Sequence, residues 1–479
     1  RETPAVQRCA AVAERAGKKG GRVVMKPLCL SELVEPLEGV LIGADAQFSS
    51  VCTDSRSVQA GDLFVALCGE RYDGHAFLAE VANDGAGAAL VSRDTDISLP
   101  ALRVGDTQLA LGKLAALNRQ YFSGELVAIT GSSGKTSVKN MLAEILSCRG
   151  PTLATAGNFN NEVGMPLTLL QLDSEHRFAV IEMGAAAAGD IAYLCALARP
   201  SVSVLLNAMP AHLQGFGSVA EVARAKGEIF LGLTAQQTAV INADSEYAPL
   251  WREMSADADR IEFGISQGDV TARQLQLHET GSRFLFCTSD AEFACELNVP
   301  GRHNVLNALA AGAAALAAGC SCEHIARGLS QVQSVAGRLQ QHSLVHDISL
   351  IDDSYNANPG SVAAAIDVLA SMTGRRHLVL GAMAELGPDS AQLHSEVGSY
   401  ARQQGIECCW FCGPETRACA ESFGAGARHF SDRAALLESL QKNVEAGDSV
   451  LVKGSRSAGM DVLVADFVAA LRDEAGGEN

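Results

Sequence analysis

The run Thr130-Gly131-Ser132-Ser133-Gly134-Lys135-Thr136-Ser137 stands between an apolar stretch, Leu126-Val-Ala-Ile129, and a helical pattern from Val138 to Leu146. Its two glycines let the backbone turn tightly enough for N–H groups to converge, and a helix starting there adds the positive end of its dipole. Strand, glycine-rich corner and helix in that order form a phosphate cradle, in which Lys135 reaches the β- and γ-phosphates and the Thr136 hydroxyl ligates Mg2+. The spacing is unusual. Ile129, not glycine, stands five residues before Gly134, so the loop is shorter than the standard pattern. A glycine turn carrying an incidental lysine is the competing reading, and the flanking strand and helix weigh against it. ATP is therefore the expected cofactor, held by Thr130 through Ser137.

Further apolar runs end in polar or glycine-rich corners. Phe178-Ala-Val-Ile181 leads into Glu182, Val202-Ser-Val-Leu-Leu206 into Asn207, and Thr238-Ala-Val-Ile241 into Asn242-Ala-Asp244. Continuous apolar strands alternating with helical patterns predict parallel sheets covered on both faces, with ligands beyond the C-terminal strand ends. The same style returns at Ile348–Ile351, His377–Leu380, Glu407–Phe411 and Ser449–Val452. The expected fold class is α/β in three domains: a small α/β domain at 25–108, a central phosphate-loop domain with a parallel sheet at 109–336, and a Rossmann-like domain at 337–479. Residues 1–24 read as an N-terminal extension.

Composition narrows the function classes. The 479 residues carry a net charge of -18, which argues against nonspecific nucleic-acid binding. Anionic ligands then need local help from a helix N-terminus, a few basic side chains or Mg2+. No apolar stretch reaches the ~18–20 residues of a membrane span, and residues 1–24 lack the apolar segment of a signal peptide. The 14 cysteines follow no disulfide-type spacing, and Cys408-Cys409-Trp410-Phe411-Cys412 lies in an apolar run with no second ligand pair, so buried thiols are expected. A cytoplasmic monomer is the expectation.

Motifs along the chain resemble those of the Mur ligases, from Met25 to about residue 470. They are Thr53-Asp-Ser-Arg56, the Gly131–Ser137 loop, Gly157-Asn-Phe-Asn-Asn-Glu-Val-Gly164, Glu182-Met-Gly184, Pro210-Ala-His-Leu213 with Gly215-Phe-Gly217, Ala223-Arg-Ala-Lys-Gly-Glu228, Gly301-Arg-His-Asn304, Gly337-Arg338, Asp352-Asp-Ser-Tyr-Asn-Ala-Asn-Pro359 and Lys453-Gly-Ser-Arg456. Several motifs in the right order are more specific than any one, and Tyr355 to Pro359 points to dipeptide-adding members. The resemblance implies ATP-dependent joining of D-alanyl-D-alanine to UDP-N-acetylmuramoyl-tripeptide through an acyl phosphate.

It also implies roles for residues that read blandly alone. Glu182, otherwise a solvated strand-end carboxylate, ligates Mg2+ with Thr136. His212, otherwise a hydrogen-bonded structural histidine, ligates a second Mg2+ together with Lys226, whose alternatives are a carbamate or a surface lysine on an amphipathic helix. Asn304 or Asn307, otherwise helix-capping residues, meets the adenine. Arg338 reaches the γ-phosphate and Asp353 the ribose, where each alone is an ordinary salt-bridge residue. Lys135, His212, Lys226 and Arg338 carry the catalysis. Ser55 and Arg56, with Asp73-Gly74-His75 nearby, hold the uridine diphosphate, and Asn160 and Asn161 are further substrate-binding residues. Tyr355, Asn356 and Asn358, otherwise a turn, contact the dipeptide. Three positions depart from the usual pattern, Ala186, Met209 and Ala382, and the last removes an expected acidic contact. The rival readings are a folylpolyglutamate synthetase-like ligase and a non-catalytic nucleotide-binding regulator.

Overall fold

The structure is a computed structural model describing residues 25–69, 72–96 and 98–476; the extension read at 1–24 lies outside the described residues. These fall into two compact units. One comprises the described residues up to Ile129 with Arg149–Ala185 and Gly189–Ser203; the other comprises Thr130–Cys148, Ala186–Ala188 and the chain from Val204 onward.

In the first unit, Val40–Ile42, Ala101–Arg103, Ala88–Val91, Leu63–Val65 and Val51–Cys52 form a five-stranded sheet in that order, parallel except for the pair at Val40. Ala88–Val91 is buried at every position, which explains its unbroken apolar sequence. The helix Thr107–Gln120 begins where Asp106 accepts the N–H groups of Gln108 and Leu109 at 2.7 and 3.0 Å. Farther along, Phe178–Glu182 pairs in parallel with both Thr152–Ala154 and Glu125–Thr130. The register sets Glu182 opposite Ile129, the residue before Thr130.

In the second unit, Lys135–Ser147 is helical, starting three residues before the predicted Val138 because Gly134 takes the left-handed conformation (φ 83°) that lets the helix begin at once. Helix Cys322–Gln331 lies against it. A Cβ on Gly328 would fall 2.5 Å from the Ile145 Cα, so only glycine permits that approach. Helix Arg302–Ala317 is buried along nearly its whole length, as its alanine-rich sequence suggests. Strands Thr271–His278, Gly281–Cys287 and Glu292–Leu297 form an antiparallel sheet the sequence reading did not find. A six-stranded sheet follows in the order Gln340–Ser343, Ser349–Asp353, Ser449–Lys453, Arg376–Gly381, Cys408–Cys412, Ala427–Phe430, parallel apart from its first edge strand. Cys409 faces one apolar layer, Cys408 and Cys412 the other; all three are buried free thiols, and burial raises the pKa of Cys409 and Cys412. No helix among the described residues is long and apolar enough to cross a membrane.

Candidate active site around the phosphate loop

The loop is braced from outside. The N–H groups of Ser132 and Ser133 donate to the backbone and side-chain oxygens of Asn207 at 3.1 and 3.0 Å, and Asn207 Nδ2 returns a bond to Ser133 O at 3.1 Å. Met209 adds its backbone, its N–H donating to Ser132 Oγ at 3.0 Å. Two amides expected to wrap phosphate are thus engaged by Asn207. The donors aimed at a phosphate are those of the first helical turn, Lys135 to Ser137, which point out along the helix axis. Lys135 arches back so that Nζ donates to Gly131 O at 2.8 Å, which places its charge over the loop. Asn207 was missed as a site residue, although its place directly after an apolar strand was the available signal.

Asn304 and Asn307 both lie buried in the first turns of Arg302–Ala317. Asn304 Nδ2 donates to Pro300 O at 2.8 Å, and Asn307 Nδ2 to Asn304 Oδ1 at 3.1 Å. A Cβ on Gly134 would sit 2.6 Å from Asn307 Oδ1, so Asn307 abuts the phosphate loop itself.

His212 occupies the left-handed region (φ 55°) and directs Nδ1 at the carboxylate of Glu385, which is also left-handed (φ 63°). Burial, the largest influence, holds the imidazole pKa below its usual value although Glu385 pulls the other way. A neutral ring with its proton on Nδ1 leaves the Nε2 lone pair as a ligand. Lys226 is 2% exposed, which removes the surface-lysine reading. Burial first and then the Lys135 charge push its pKa down to about 7.

The segment after Gly337 folds onto the segment after Asp353. Tyr355 N–H donates to Gly337 O at 3.0 Å, Leu339 N–H to Asp353 Oδ1 at 3.1 Å, and the Arg338 guanidinium lies 4.2 Å over the Tyr355 ring. Asp353 is buried, and burial raises its pKa despite Lys453 beside it. Asn358 Oδ1 caps helix Pro359–Ala370 by accepting Ser361 N–H at 2.8 Å, and Asn356 Oδ1 accepts Ala357 N–H at 2.9 Å. Their oxygens are structural, so any ligand contact falls to their amides.

In the first unit, Glu182 is 2% exposed at the end of its strand. Thr155 Oγ1 accepts its N–H at 3.0 Å, and Asn160 Nδ2 donates to its carboxylate at 2.8 Å. Asn160 therefore orients Glu182, whereas Asn161 Oδ1 accepts the Gly164 N–H at 2.9 Å where the next helix begins. Arg56 is exposed and paired with Asp54 at 3.0 Å, beside the half-buried Ser55.

Residues 129–315 match the Mur ligase middle domain, 337–456 the Mur ligase glutamate ligase domain and 47–119 the Mur ligase family catalytic domain. The UDP-N-acetylmuramoyl-tripeptide–D-alanyl-D-alanine ligase of Escherichia coli (strain K12) is 45% identical over 444 residues, covering 92% of this chain and 98% of that one. The chain belongs to the Mur ligase family. A second relative among the Mur ligases, the enzyme of the same description from Haemophilus influenzae, is 38% identical over 94% of this chain and 99% of its own. MurF from Acinetobacter baumannii has a TM-score of 0.89 at 36% identity, covering 93% of this chain and 99% of that one. MurF ligase from Thermotoga maritima in complex with ADP scores 0.81 at 30% identity, covering 89% and 98%. Mycobacterium tuberculosis folylpolyglutamate synthase, at 0.59 and 16% identity over 75% of this chain, shares the fold alone.

One further cluster in this Mur ligase has metal-like spacing among the described residues: Cys68, Asp73 and His75. Ser92 N–H donates to His75 Nε2 at 3.0 Å, so the ring proton sits on Nδ1, 2.7 Å from Asp73 Oδ1. Nδ1 then has no lone pair to offer, and the cluster braces a loop. The departures are mild locally. Ala382 and Ala186 contribute backbone carbonyls, to Ser455 N–H and against Gly215, while the Met209 sulfur fills space beside Gly360.

Proposed function

We propose that this Mur ligase joins D-alanyl-D-alanine to UDP-N-acetylmuramoyl-tripeptide, converting ATP to ADP and phosphate, in cytoplasmic peptidoglycan synthesis. The observation that carries this is the 45% identity, across 98% of its length, to the E. coli ligase of that description. A likeness to folylpolyglutamate synthase at 16% identity carries no comparable weight.

A carboxylate resists amine attack because its oxygen leaves poorly. Transfer of the γ-phosphoryl group to the tripeptide carboxylate forms an acyl phosphate and releases ADP. The dipeptide amine then attacks the acyl carbon, and the tetrahedral adduct collapses by expelling phosphate. The protein's part is to place the groups and neutralise the charge that develops. Lys135 and the first-turn amides of Lys135–Ser137 hold the β- and γ-phosphates. Arg338, fixed by its stacking on Tyr355, supports the γ-phosphate. Asp353 meets the ribose, and Asn304 or Asn307 the adenine. The Asn356 and Asn358 amides, with Tyr355, meet the dipeptide. Ser55 and Arg56 meet the uridine diphosphate in the domain of residues 25–108; 109–336 hold ATP and 337–479 the dipeptide.

The donor chemistry suits magnesium. A hydroxyl (Thr136) and an oriented carboxylate (Glu182) are the proposed ligands of one ion, and the Nε2 of His212 with a carbamate on Lys226 those of a second, predominantly hard oxygens. With a pKa near 7, Lys226 has free amine at neutral pH to attack CO2, forming an N–C bond and releasing a proton. Bound magnesium supplies charge neutralisation on the phosphoryl oxygens.

ADP release measured with UDP-muramoyl-tripeptide, with and without D-alanyl-D-alanine, tests the proposal when the product is weighed by mass spectrometry. Dipeptide-dependent ADP and a product heavier by one dipeptide less water support it. ADP release indifferent to the dipeptide, with no new amide, supports the regulator reading instead.

A further inference from the structure

Lys453 ends the strand Ser449–Lys453 and is 3% exposed. A buried ammonium is costly unless matched by acceptors, so its partners define its purpose. Parallel register sets Lys453 beside Asp353, and neighbouring strand ends bring both side chains to the C-terminal edge of the sheet. Nζ lies 2.5 Å from Asp353 Oδ2 and 3.0 Å from Asn356 O. The other Asp353 oxygen accepts the Leu339 N–H, next to Arg338. One cation therefore ties together the carboxylate, the start of the Tyr355–Asn358 loop and, through the carboxylate, the segment bearing Arg338.

We propose that Lys453 is a positioning residue for two substrates at once, its ammonium fixing the Asp353 carboxylate toward the nucleotide and the Asn356 carbonyl so that the dipeptide loop keeps its shape. The inference rests on assigning Asp353 to the nucleotide and residues 355–358 to the dipeptide. A lysine serving only to neutralise Asp353 would leave the loop indifferent once Asp353 lost its charge. A lysine that also holds the Asn356 carbonyl would not.

The test compares wild type, Lys453→Arg, Lys453→Met and the double variant Lys453→Met/Asp353→Asn, the last keeping the fold accessible if an unpaired buried carboxylate unfolds the single variant. Folding is followed by thermal melting, ADP affinity by calorimetry, and KM for ATP and D-alanyl-D-alanine by ADP release. Lys453→Met is expected to weaken ADP binding and raise the dipeptide KM, each by about tenfold, a modest misplacement on the scale where 1 Å costs about a hundredfold. Lys453→Arg should recover part of both, and the double variant should recover stability while its dipeptide KM stays high. A folded Lys453→Met protein with both constants within about twofold of wild type overturns the proposal, as does a double variant with a wild-type dipeptide KM. If the wild type makes no dipeptide product, the functional reading falls, and ADP affinity by the same threshold decides the role of Lys453.

Discussion

His212 and Glu385 meet side chain to side chain, and both hold left-handed backbone (φ 55° and 63°) that non-glycine residues seldom adopt. Strain at two partnered residues is kept where the surroundings enforce it, and such positions cluster at functional sites. Glu385 fixes the His212 proton on Nδ1 and so leaves the lone pair on Nε2. Glu385→Gln should lower kcat by about tenfold or more, the usual cost of losing a partner behind a ligating histidine, with little change in melting temperature. Steady-state kinetics beside a thermal melt check this; wild-type kcat contradicts it.

Gly134 combines a φ of 83° with the nearby Asn307 oxygen. Gly134→Ala forces a left-handed alanine and drives its Cβ against that oxygen. ATP affinity should fall by at least about tenfold, roughly 1.4 kcal/mol, while the dipeptide KM moves little. Calorimetry with ADP and the two KM values separate the effects.

Lys226 can act as an oxygen ligand only after reaction with CO2. Protein stripped of CO2 at mildly acid pH and assayed in CO2-free buffer should lose most of its ligase activity, and added bicarbonate should restore it. Activity insensitive to bicarbonate would argue that Lys226 works as the amine. Lys226→Ala should be inactive with or without bicarbonate.

His303 is pushed down from 6.5 to about 4, first by burial and then by the Lys453 charge. Its folded value is depressed, so between pH 6.5 and about 4 the unfolded chain binds more protons and stability falls as pH drops through that window. Burial shifts His212, His377 and His394 in the same direction. Melting temperature should decline from about pH 7 to about pH 5, and His303→Gln should make that decline shallower. An unchanged slope in the variant contradicts the assignment.

The phosphate loop was legible because its chemistry is local: an apolar strand, two glycines and a helix are adjacent in sequence and in space. The parallel strands were legible as unbroken apolar runs, since both faces are buried. The sheet at Thr271–Leu297 escaped because its strands are not unbroken apolar runs, and a register shift between Arg273 and Gln276, with Gln274 in the left-handed region, breaks the alternation that would otherwise mark the first of them. Site roles came through the resemblance, residue by residue, and tertiary partners stayed hidden. No sequence rule pairs Glu385 with His212 across more than a hundred positions or announces that Asn207 braces Ser132 and Ser133. Lys453 was visible as a charged residue closing an apolar strand, but its partners depend on strand register.

The most direct measurement follows the oxygen that ATP is used to remove. With heavy oxygen in the terminal carboxylate of UDP-muramoyl-tripeptide, and D-alanyl-D-alanine and ATP supplied, each phosphate released should carry one labelled oxygen, matched one for one with new pentapeptide. Unlabelled phosphate accompanying pentapeptide would contradict activation of the carboxylate by phosphoryl transfer.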